Sequence, residues 1–401
     1  DLVRSRGLGD VYKRQRQSYN TWRSCKIATR VSIPWELNNF QEQLKKFSVD
    51  KLFLDQINDW RLILGKEVYE HKKEVKETEL NDIVQSYINS LIFLRVCEDR
   101  NLETYKTLFN FANSNDFNAL IKKFKEADKK YNSGLFNHIL NKEIIENNSS
   151  AFWSIIKQLY YPESTYSFSV FSSDILGNIY EIFLGKKLVI KDNEISIKLK
   201  PEHIEGDIVT TPTFIIRDIL RNTVQEYCNG KTDIEILKSS FADISCGSGA
   251  FLLETYQLIN DILIDYYLKT SKETLIRTSV DTYKLPFNIK SKILLNCIFG
   301  VDKDFNAVES CKFALLLKLL EEENNQSISI PALPDLSNNI SFGNSLISSD
   351  LINNDNQIEI NPFDFLDKKY DVIIGNPPYM STEHIKAVSY THLRAHETVL
   401  D

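Results

Sequence analysis

Apolar residues recur at helical spacing through the first part of the chain, from about residue 34 to about residue 160. The clearest helical stretch has its apolar residues at Leu80, Ile83, Val84, Tyr87, Ile88, Leu91 and Ile92. It continues into Phe93–Arg100, which ends in Glu98, Asp99 and Arg100. A catalytic role is one interpretation of these charges, but a solvated or salt-bridged helix end explains them more simply. The pattern predicts a mostly α-helical N-terminal region.

The pattern changes after about residue 170. A helix is predicted over Asp174–Gly185, and two alternating stretches around Asp192 and Asn193 predict a β-hairpin. Thr211 and Pro212 then predict the start of another helix, with Thr211 as N-cap and the proline in the first turn. The apolar residues of that helix are expected to face a core: Phe214, Ile215, Ile219 and Leu220.

Three later stretches have the character of strands that end in turns. Phe241–Phe251 combines a short strand, a turn with Gly247 and Gly249, and a helix whose core-type residues are Leu252, Tyr256, Ile259 and Leu263. Ile298–Asp302 ends in an acid of the kind that accepts hydrogen bonds from ribose hydroxyls. Ile340–Leu346 ends in a similar glycine turn, Gly343-Asn344. Each stretch alone is most simply a βα crossover, but together they favour a nucleotide site.

The glycine turn narrows the chemical class of the ligand that could bind there. Gly247 and Gly249 permit close approach to the backbone, and the following helix start offers free N–H groups. The turn lacks the third glycine of a dinucleotide fingerprint, and no Gly-Lys-Ser/Thr follows it. An adenosine ligand without phosphates therefore fits better than a dinucleotide or a triphosphate.

A fourth strand signal, Asp371–Ile374, ends in Gly375-Asn376-Pro377-Pro378-Tyr379. The two prolines force a rigid turn at the carboxyl end of a strand, where open α/β sheets bind ligands. The Asn376 amide and the Pro377 carbonyl could accept two hydrogen bonds from an exocyclic amino group, while the ring of Tyr379 stacks on the heterocycle. A plain strand followed by a proline turn is the simpler alternative for this motif alone.

Composition narrows the class of protein. The chain has 401 residues with 42% hydrophobic and 26% charged, as in globular proteins large enough for two domains. No apolar run reaches membrane-spanning length, so no membrane partner is expected. The six cysteines form no CxxC pair, which argues against a zinc site and predicts a reducing cytoplasm. The net charge of −7 is unlike that of a nucleic-acid binder, so any basic surface is local or lies elsewhere in a longer protein.

The two termini match each other at the level of DNA. Ser5–Gln15 can be encoded by a segment whose complementary strand, read in another frame, encodes Val388–Glu397. This is expected of a translated sequencing-library adaptor. We therefore expect residues 1–15 and 388–401 to be non-native, and residues 16–387 to be the interior of a longer protein.

In this order the motifs resemble those of S-adenosylmethionine-dependent DNA adenine-N6 methyltransferases, of the Eco57I-like, type IIG or type I modification kind. The resemblance implies a class I methyltransferase fold: an α/β, Rossmann-like doubly wound sheet, incomplete at its C-terminal side, preceded by a mostly α-helical domain. It implies a helical domain at 16–170 and the first part of a methyltransferase domain at 171–387. The resemblance covers most of residues 78–379.

The resemblance also implies roles for individual residues. The catalytic residues would be Asn376, Pro377, Pro378 and Tyr379. The residues that bind S-adenosyl-L-methionine would be Thr211, Pro212, Asp243, Ser245, Cys246, Gly247, Gly249, Phe251, Asp302 and Asn344. No metal ligand is implied, and Mg²⁺ would be needed only by a nuclease domain of the parent protein.

The expected reaction is methyl transfer to N6 of a flipped-out adenine in double-stranded DNA, in a bacterial or archaeal restriction-modification or related defence system. Partners would be that DNA and, where they are not fused, a specificity or nuclease subunit. The chain by itself is expected to be inactive. Two alternatives remain: a methyltransferase acting on protein glutamine or RNA, which can share the Asn-Pro-Pro-Tyr turn, and a non-catalytic defence-system fragment.

Overall fold

The computed structural model describes residues 49–131, 136, 149–164, 168, 185–200, 211–323, 333–343, 345 and 369–377. Its first part is helical, as the periodicity predicts. The helices are α1 (Val49–His71), α2 (Glu77–Asp99), α3 (Thr107–Ser114), α4 (Phe117–Tyr131) and α5 (Ser150–Lys157). Most of the helix predicted at 174–185 lies outside the described residues. No helix within the described ranges is both long and apolar enough to cross a membrane.

The charged end of α2 is buried and paired. Glu98, only 2% exposed, accepts hydrogen bonds from the backbone N–H groups of Lys106 (3.0 Å) and Leu108 (3.1 Å) and from the Tyr160 hydroxyl (2.7 Å). One turn away, Arg95 Nη1 lies 2.5 Å from a carboxylate oxygen of Asp99. Of the two simple interpretations, the salt-bridged end is therefore correct and the solvated end is wrong, because buried carboxylates need such partners.

The predicted hairpin is confirmed. Strands β1 (Lys186–Lys191) and β2 (Glu194–Leu199) pair antiparallel, with Leu188 opposite Ile197. Asp192 and Asn193 connect them at φ angles of 52° and 63°. Positive φ at both turn residues matches the right-handed twist of the flanking strands, and Asp and Asn tolerate that conformation better than most residues.

Side chains of the helical part form hydrogen bonds with the backbone of β1 along its outer edge. The Asn81 amide donates to the Leu188 carbonyl (3.0 Å) and accepts from the Leu188 N–H (2.9 Å). Arg61 donates to the carbonyl of Lys186 at 2.9 Å, and Glu77 accepts from the N–H of Ile190 at 3.0 Å. Polar side chains thus replace a neighbouring strand, so this edge is closed to further pairing.

The second part is mixed α/β, with a four-stranded sheet in the order β7-β6-β3-β8. All neighbouring strands in it run parallel. Its strands are β3 (Phe241–Asp243), β6 (Ile298–Asp302), β7 (Ile340–Phe342) and β8 (Val372–Ile373). A separate antiparallel pair consists of β4 (Ile276–Arg277) and β5 (Tyr283–Lys284). Parallel strands need crossovers, and helices lie between β3 and β6 and between β6 and β7 along the chain.

The helices of this second part are α6 (Thr213–Leu220), which continues through a π-helical turn (Arg221–Gln225) into α7 (Glu226–Cys228), then α8 (Asp233–Ile236), α9 (Ala250–Thr270), α10 (Phe287–Cys297) and α11 (Phe305–Leu319). The predicted core residues of α9 are all buried: Leu252, Tyr256, Ile259 and Leu263. α11 also joins the helical part to the sheet. Its Phe313 ring lies 6.5 Å from that of Phe93, and its Leu317 carbonyl accepts from Arg100 at 3.0 Å.

The prediction for the helix after Thr211 is partly wrong. The helix begins at Thr213, and Pro212, which offers no side-chain hydrogen bond, occupies the N-cap position. Leu220 is buried as expected, but Phe214 is 73% exposed and Ile215 is 40% exposed. Ile216 is the buried residue of the first turn. Helical spacing identified an amphipathic helix, but a run of three consecutive apolar residues left its buried face ambiguous.

Replacing Asn81 by leucine should destabilise the hairpin. The outward-facing N–H and C=O of Leu188 would lose both partners, and each unsatisfied group costs about 1–3 kcal/mol. We expect the free energy of unfolding in urea to fall by about 2 kcal/mol and amide exchange at Leu188 to accelerate. Asn118→Leu, at an exposed position of α4, is the matched control. Equal behaviour of the two variants would contradict this role of Asn81.

Candidate functional site

The carboxyl ends of three neighbouring strands bring the predicted site residues together. β3 ends at Asp243 and β6 at Asp302, while β8 leads into Gly375 and Asn376. Asp243 lies opposite Gly300 in the register of β3 with β6. Because parallel strands end on the same side, these polar residues share one edge of the sheet.

The turn after β3 is hydrogen-bonded to β6 and has open space next to Gly247. The N–H of Cys246 donates to the Val301 carbonyl at 3.0 Å, which fastens the turn to β6. Gly249 has φ +92°, and a Cβ built there would lie 2.6 Å from the sulfur of Cys311. Gly247 has φ +53°, and a Cβ there would meet nothing within 4 Å. The turn therefore needs Gly249 for packing, whereas the space above Gly247 is free within the described residues.

Two serine hydroxyls of this turn are buried without a hydrogen-bond partner among the described residues, those of Ser245 and Ser248. Buried hydroxyls are normally bonded, so these two have hydrogen-bonding capacity that the described residues do not use. Cys246 and Phe251 are also buried, each 5% exposed, and both belong to the hydrophobic core.

The acid at the end of β6 binds the glycine turn directly. Asp302 accepts hydrogen bonds from the N–H groups of Gly247 (2.9 Å) and Asp304 (2.8 Å). Burial raises the pKa of Asp302 above its ordinary value, although both hydrogen bonds oppose that shift. Asp304 in turn caps α11 through the N–H of Asn306 and forms an ion pair with Lys200, which follows the hairpin.

Asp243 lies between the glycine turn and the turn after β8. One carboxylate oxygen accepts from the N–H of Ser245 at 3.0 Å, and the same oxygen lies 2.7 Å from where a Cβ of Gly375 would be. Burial raises the pKa of Asp243 from 3.8 to about 7, against the lowering effect of the Ser245 hydrogen bond, and the charge of Asp302 adds to the increase. A single side chain thus contacts both turns.

Asn376 is half-buried, and its Nδ2 donates a hydrogen bond to the Thr211 hydroxyl at 3.0 Å. Pro377, the next residue, is exposed. Pro378, Tyr379 and Asn344 lie outside the described residues. Ser345, just after Asn344, donates to the carbonyl of Ile244 at 2.8 Å.

Several residues near this edge were not predicted from the sequence. Gly375 could have been found, since glycine before a turn often marks a close backbone approach. Asp304 carries the N-cap signal of an acid directly before a helix. Arg217 donates two hydrogen bonds to Glu254, at 2.8 and 3.0 Å. Neither this pair nor Lys200 gives a local sequence signal, because the partners are distant in sequence.

Asp243 should make stability depend on pH. Its folded-state pKa of about 7 exceeds the unfolded value of 3.8, so the folded state holds the proton more tightly. The free energy of unfolding should therefore fall as the pH rises from about 4 to about 7 and level off above that range. Asp243→Asn keeps an acceptor for Ser245 but cannot ionise.

We expect Asp243→Asn to match the unsubstituted chain near about pH 4 and to be more stable by about 4 kcal/mol near about pH 8. Urea unfolding across this range measures the difference. Asp281→Asn, at an exposed position, is the control. A difference between the Asp243→Asn and unsubstituted chains that does not change with pH would show that Asp243 titrates normally.

Parts of the chain match known proteins. Residues 296–399 match the family model described as Eco57I restriction-modification methylase. The chain is 56% identical over 358 residues, 88% of its length, to the type II restriction enzyme and methyltransferase RM.Eco57I of Escherichia coli. It spans only 36% of that relative's length.

Two further matches are weaker, one to a protein sequence and one to a solved structure. A putative type II restriction enzyme and methyltransferase, RM.MjaORFECS2P of Methanocaldococcus jannaschii, is 29% identical over 202 residues, covering 43% of this chain and 16% of that protein. A structure of the type IIL restriction-modification enzyme MmeI in complex with DNA aligns with a TM-score of 0.46 at 14% identity, covering 85% of this chain and 45% of that one. The family match and the identity to RM.Eco57I support an Eco57I-like restriction-modification methyltransferase as the kind of protein to which this chain is similar.

Proposed function

We propose that the protein carrying this chain transfers a methyl group from S-adenosylmethionine to the N6 amino group of adenine in a specific DNA sequence, within a restriction-modification system. The observation that carries the proposal is the position of Asn376 at the same sheet edge as the glycine turn and Asp302. A methyl donor above that turn would lie beside an amide suited to holding an amino group.

The residues of the glycine turn fit an adenosine-type cofactor. The space above Gly247 admits a ligand, and the Ser245 and Ser248 hydroxyls have hydrogen bonds left to make. Asp302 would accept from ribose hydroxyls, as acids at the end of the second strand do in related nucleotide sites. We infer a class I, Rossmann-like fold on the same grounds, supported by parallel strands with a glycine turn after β3. When bound, the cofactor supplies a methyl group on a positively charged sulfur.

The proposal for the group that receives the methyl group rests on the chemistry of an exocyclic amine. The N6 lone pair of adenine is delocalised into the ring and is a poor nucleophile. Acceptance of its two hydrogens by the Asn376 side-chain oxygen and the Pro377 carbonyl would localise that pair for attack on the methyl group. A neutral amide and a carbonyl suffice, because the proton can leave after transfer.

The target base must leave the duplex to reach this edge. Flipping costs a few kcal/mol, and stacking on an aromatic side chain returns about 1–3 kcal/mol per base. We assign that stacking to Tyr379, which follows Pro378 in the motif. Because the chain is acidic overall, a basic DNA-binding surface would be local or would belong to the rest of a longer protein.

Methyl transfer by the full-length protein tests this function. With labelled S-adenosylmethionine and genomic DNA, we expect the label in N6-methyladenine, identified by mass spectrometry of the digested nucleosides. Asn376→Ala should abolish transfer while the cofactor still binds, and Tyr379→Ala should weaken target binding more than cofactor binding. Label in RNA or in protein glutamine would replace DNA adenine as the substrate. No transfer to any of them would favour a non-catalytic role.

The two glycines of the turn give a matched test of the cofactor site. Both have positive φ, so alanine strains the backbone at either position. A Cβ at Gly247 points into open space, whereas one at Gly249 collides with Cys311. We expect Gly247→Ala to weaken S-adenosylmethionine binding, measured by calorimetry, by at least about tenfold with a loss of stability of only about 1 kcal/mol.

Gly249→Ala should show the reverse balance, with the larger loss in the free energy of unfolding. If Gly247→Ala binds the cofactor normally, the ligand does not occupy the space above the turn.

A further inference from the structure

We infer that Thr211 is a positioning residue that sets the orientation of the Asn376 amide for methyl transfer. The inference rests on the proposed function. It assigns to Thr211 an action through Asn376, distinct from the contact with the cofactor that the sequence motif implies.

The contact joins residues 165 positions apart in sequence: Asn376 Nδ2 donates to Thr211 Oγ1 at 3.0 Å. An Asn side chain has one accepting and one donating end. With the NH₂ group bound to Thr211, the opposite end that remains available is the oxygen. That oxygen is the acceptor an exocyclic amino group requires.

The reverse orientation would be unproductive. A hydroxyl can also donate, so Thr211 could in principle bind the amide oxygen instead. The amide would then present its NH₂ group to the NH₂ group of the target base, and two donors repel each other. Accepting from Nδ2 leaves the Thr211 hydroxyl proton free for another partner, so the contact is compatible with a neighbouring ligand.

Thr211 is not used as a helix cap. α6 begins at Thr213 with Pro212 at the N-cap position and no side-chain capping bond. Threonine before a helix ordinarily bonds a backbone N–H of the first turn. Here the described hydrogen bond of the hydroxyl is the one from Asn376.

Both partners are held rigidly. Pro212 restricts Thr211 to extended backbone conformations, and the β-branched side chain has few χ1 choices. α6 is tied to α9 by the two hydrogen bonds from Arg217 to Glu254. On the other side, Gly375 packs against the buried Asp243 and fixes the backbone that enters Asn376. A hydrogen bond between two fixed groups orients more strongly than one between mobile side chains.

Paired substitutions in the full-length protein test the inference. Thr211→Val keeps the shape and removes the hydroxyl, and Thr211→Ser keeps the hydroxyl and removes the methyl group. We expect Thr211→Val to lower the single-turnover rate constant of methyl transfer by about tenfold, the size of one orienting hydrogen bond, with an unchanged dissociation constant for S-adenosylmethionine. Thr211→Ser should restore most of the rate. Thr213→Val, in the first turn of α6, is the control for folding.

Two outcomes would overturn the inference. An unchanged rate constant in Thr211→Val would show that the contact does not orient Asn376. A weaker cofactor affinity at an unchanged rate constant would make Thr211 a cofactor ligand only. Absence of transfer by the unsubstituted protein is a separate result, which contradicts the proposed function itself.

Discussion

The parallel pairing of β3 with both β6 and β8 is the constraint on which the rest of the site depends. It places residues separated by more than a hundred positions, such as Asp243 and Gly375, at one edge of one sheet. Helices α9 and α11 then start from that edge, so their N-termini and capping residues surround the same space. A shift of one residue in the register of β3 with β6 would point the acids of these two strands to opposite faces.

Close packing below the edge explains why its glycines are not interchangeable. Gly300 lies beneath the turn, where a Cβ would be 2.7 Å from a methyl group of Leu252. Gly249 and Gly375 meet a cysteine sulfur and a carboxylate in the same way, while Gly247 faces open space. At three positions, therefore, the glycine is required by packing within the protein, whereas a Cβ at Gly247 would contact none of the described residues.

Sequence patterns predicted the individual elements of the site better than the side-chain contacts between those elements. Local signals suffice for the hairpin at Asp192 and Asn193, for the turn with Gly247 and for the acid at Asp302, because each depends on neighbouring residues. Thr211 shows the limit. Its position before a proline indicates an N-cap, yet its hydroxyl binds Asn376 far along the chain. The ion pair between Lys200 and Asp304 and the exposure of Phe214 likewise follow from tertiary packing that no local pattern encodes.

The contact of Asp243 with Gly375 also limits how such genes can recombine. The two residues come from separate segments, but the carboxylate occupies the space that any side chain at 375 would need. Suppose that two related genes recombine between these positions. The hybrid protein can pack only if both parents carry a small residue at 375 or a residue smaller than Asp at 243. Segments that read as independent modules in the sequence are therefore coupled by packing at these two positions.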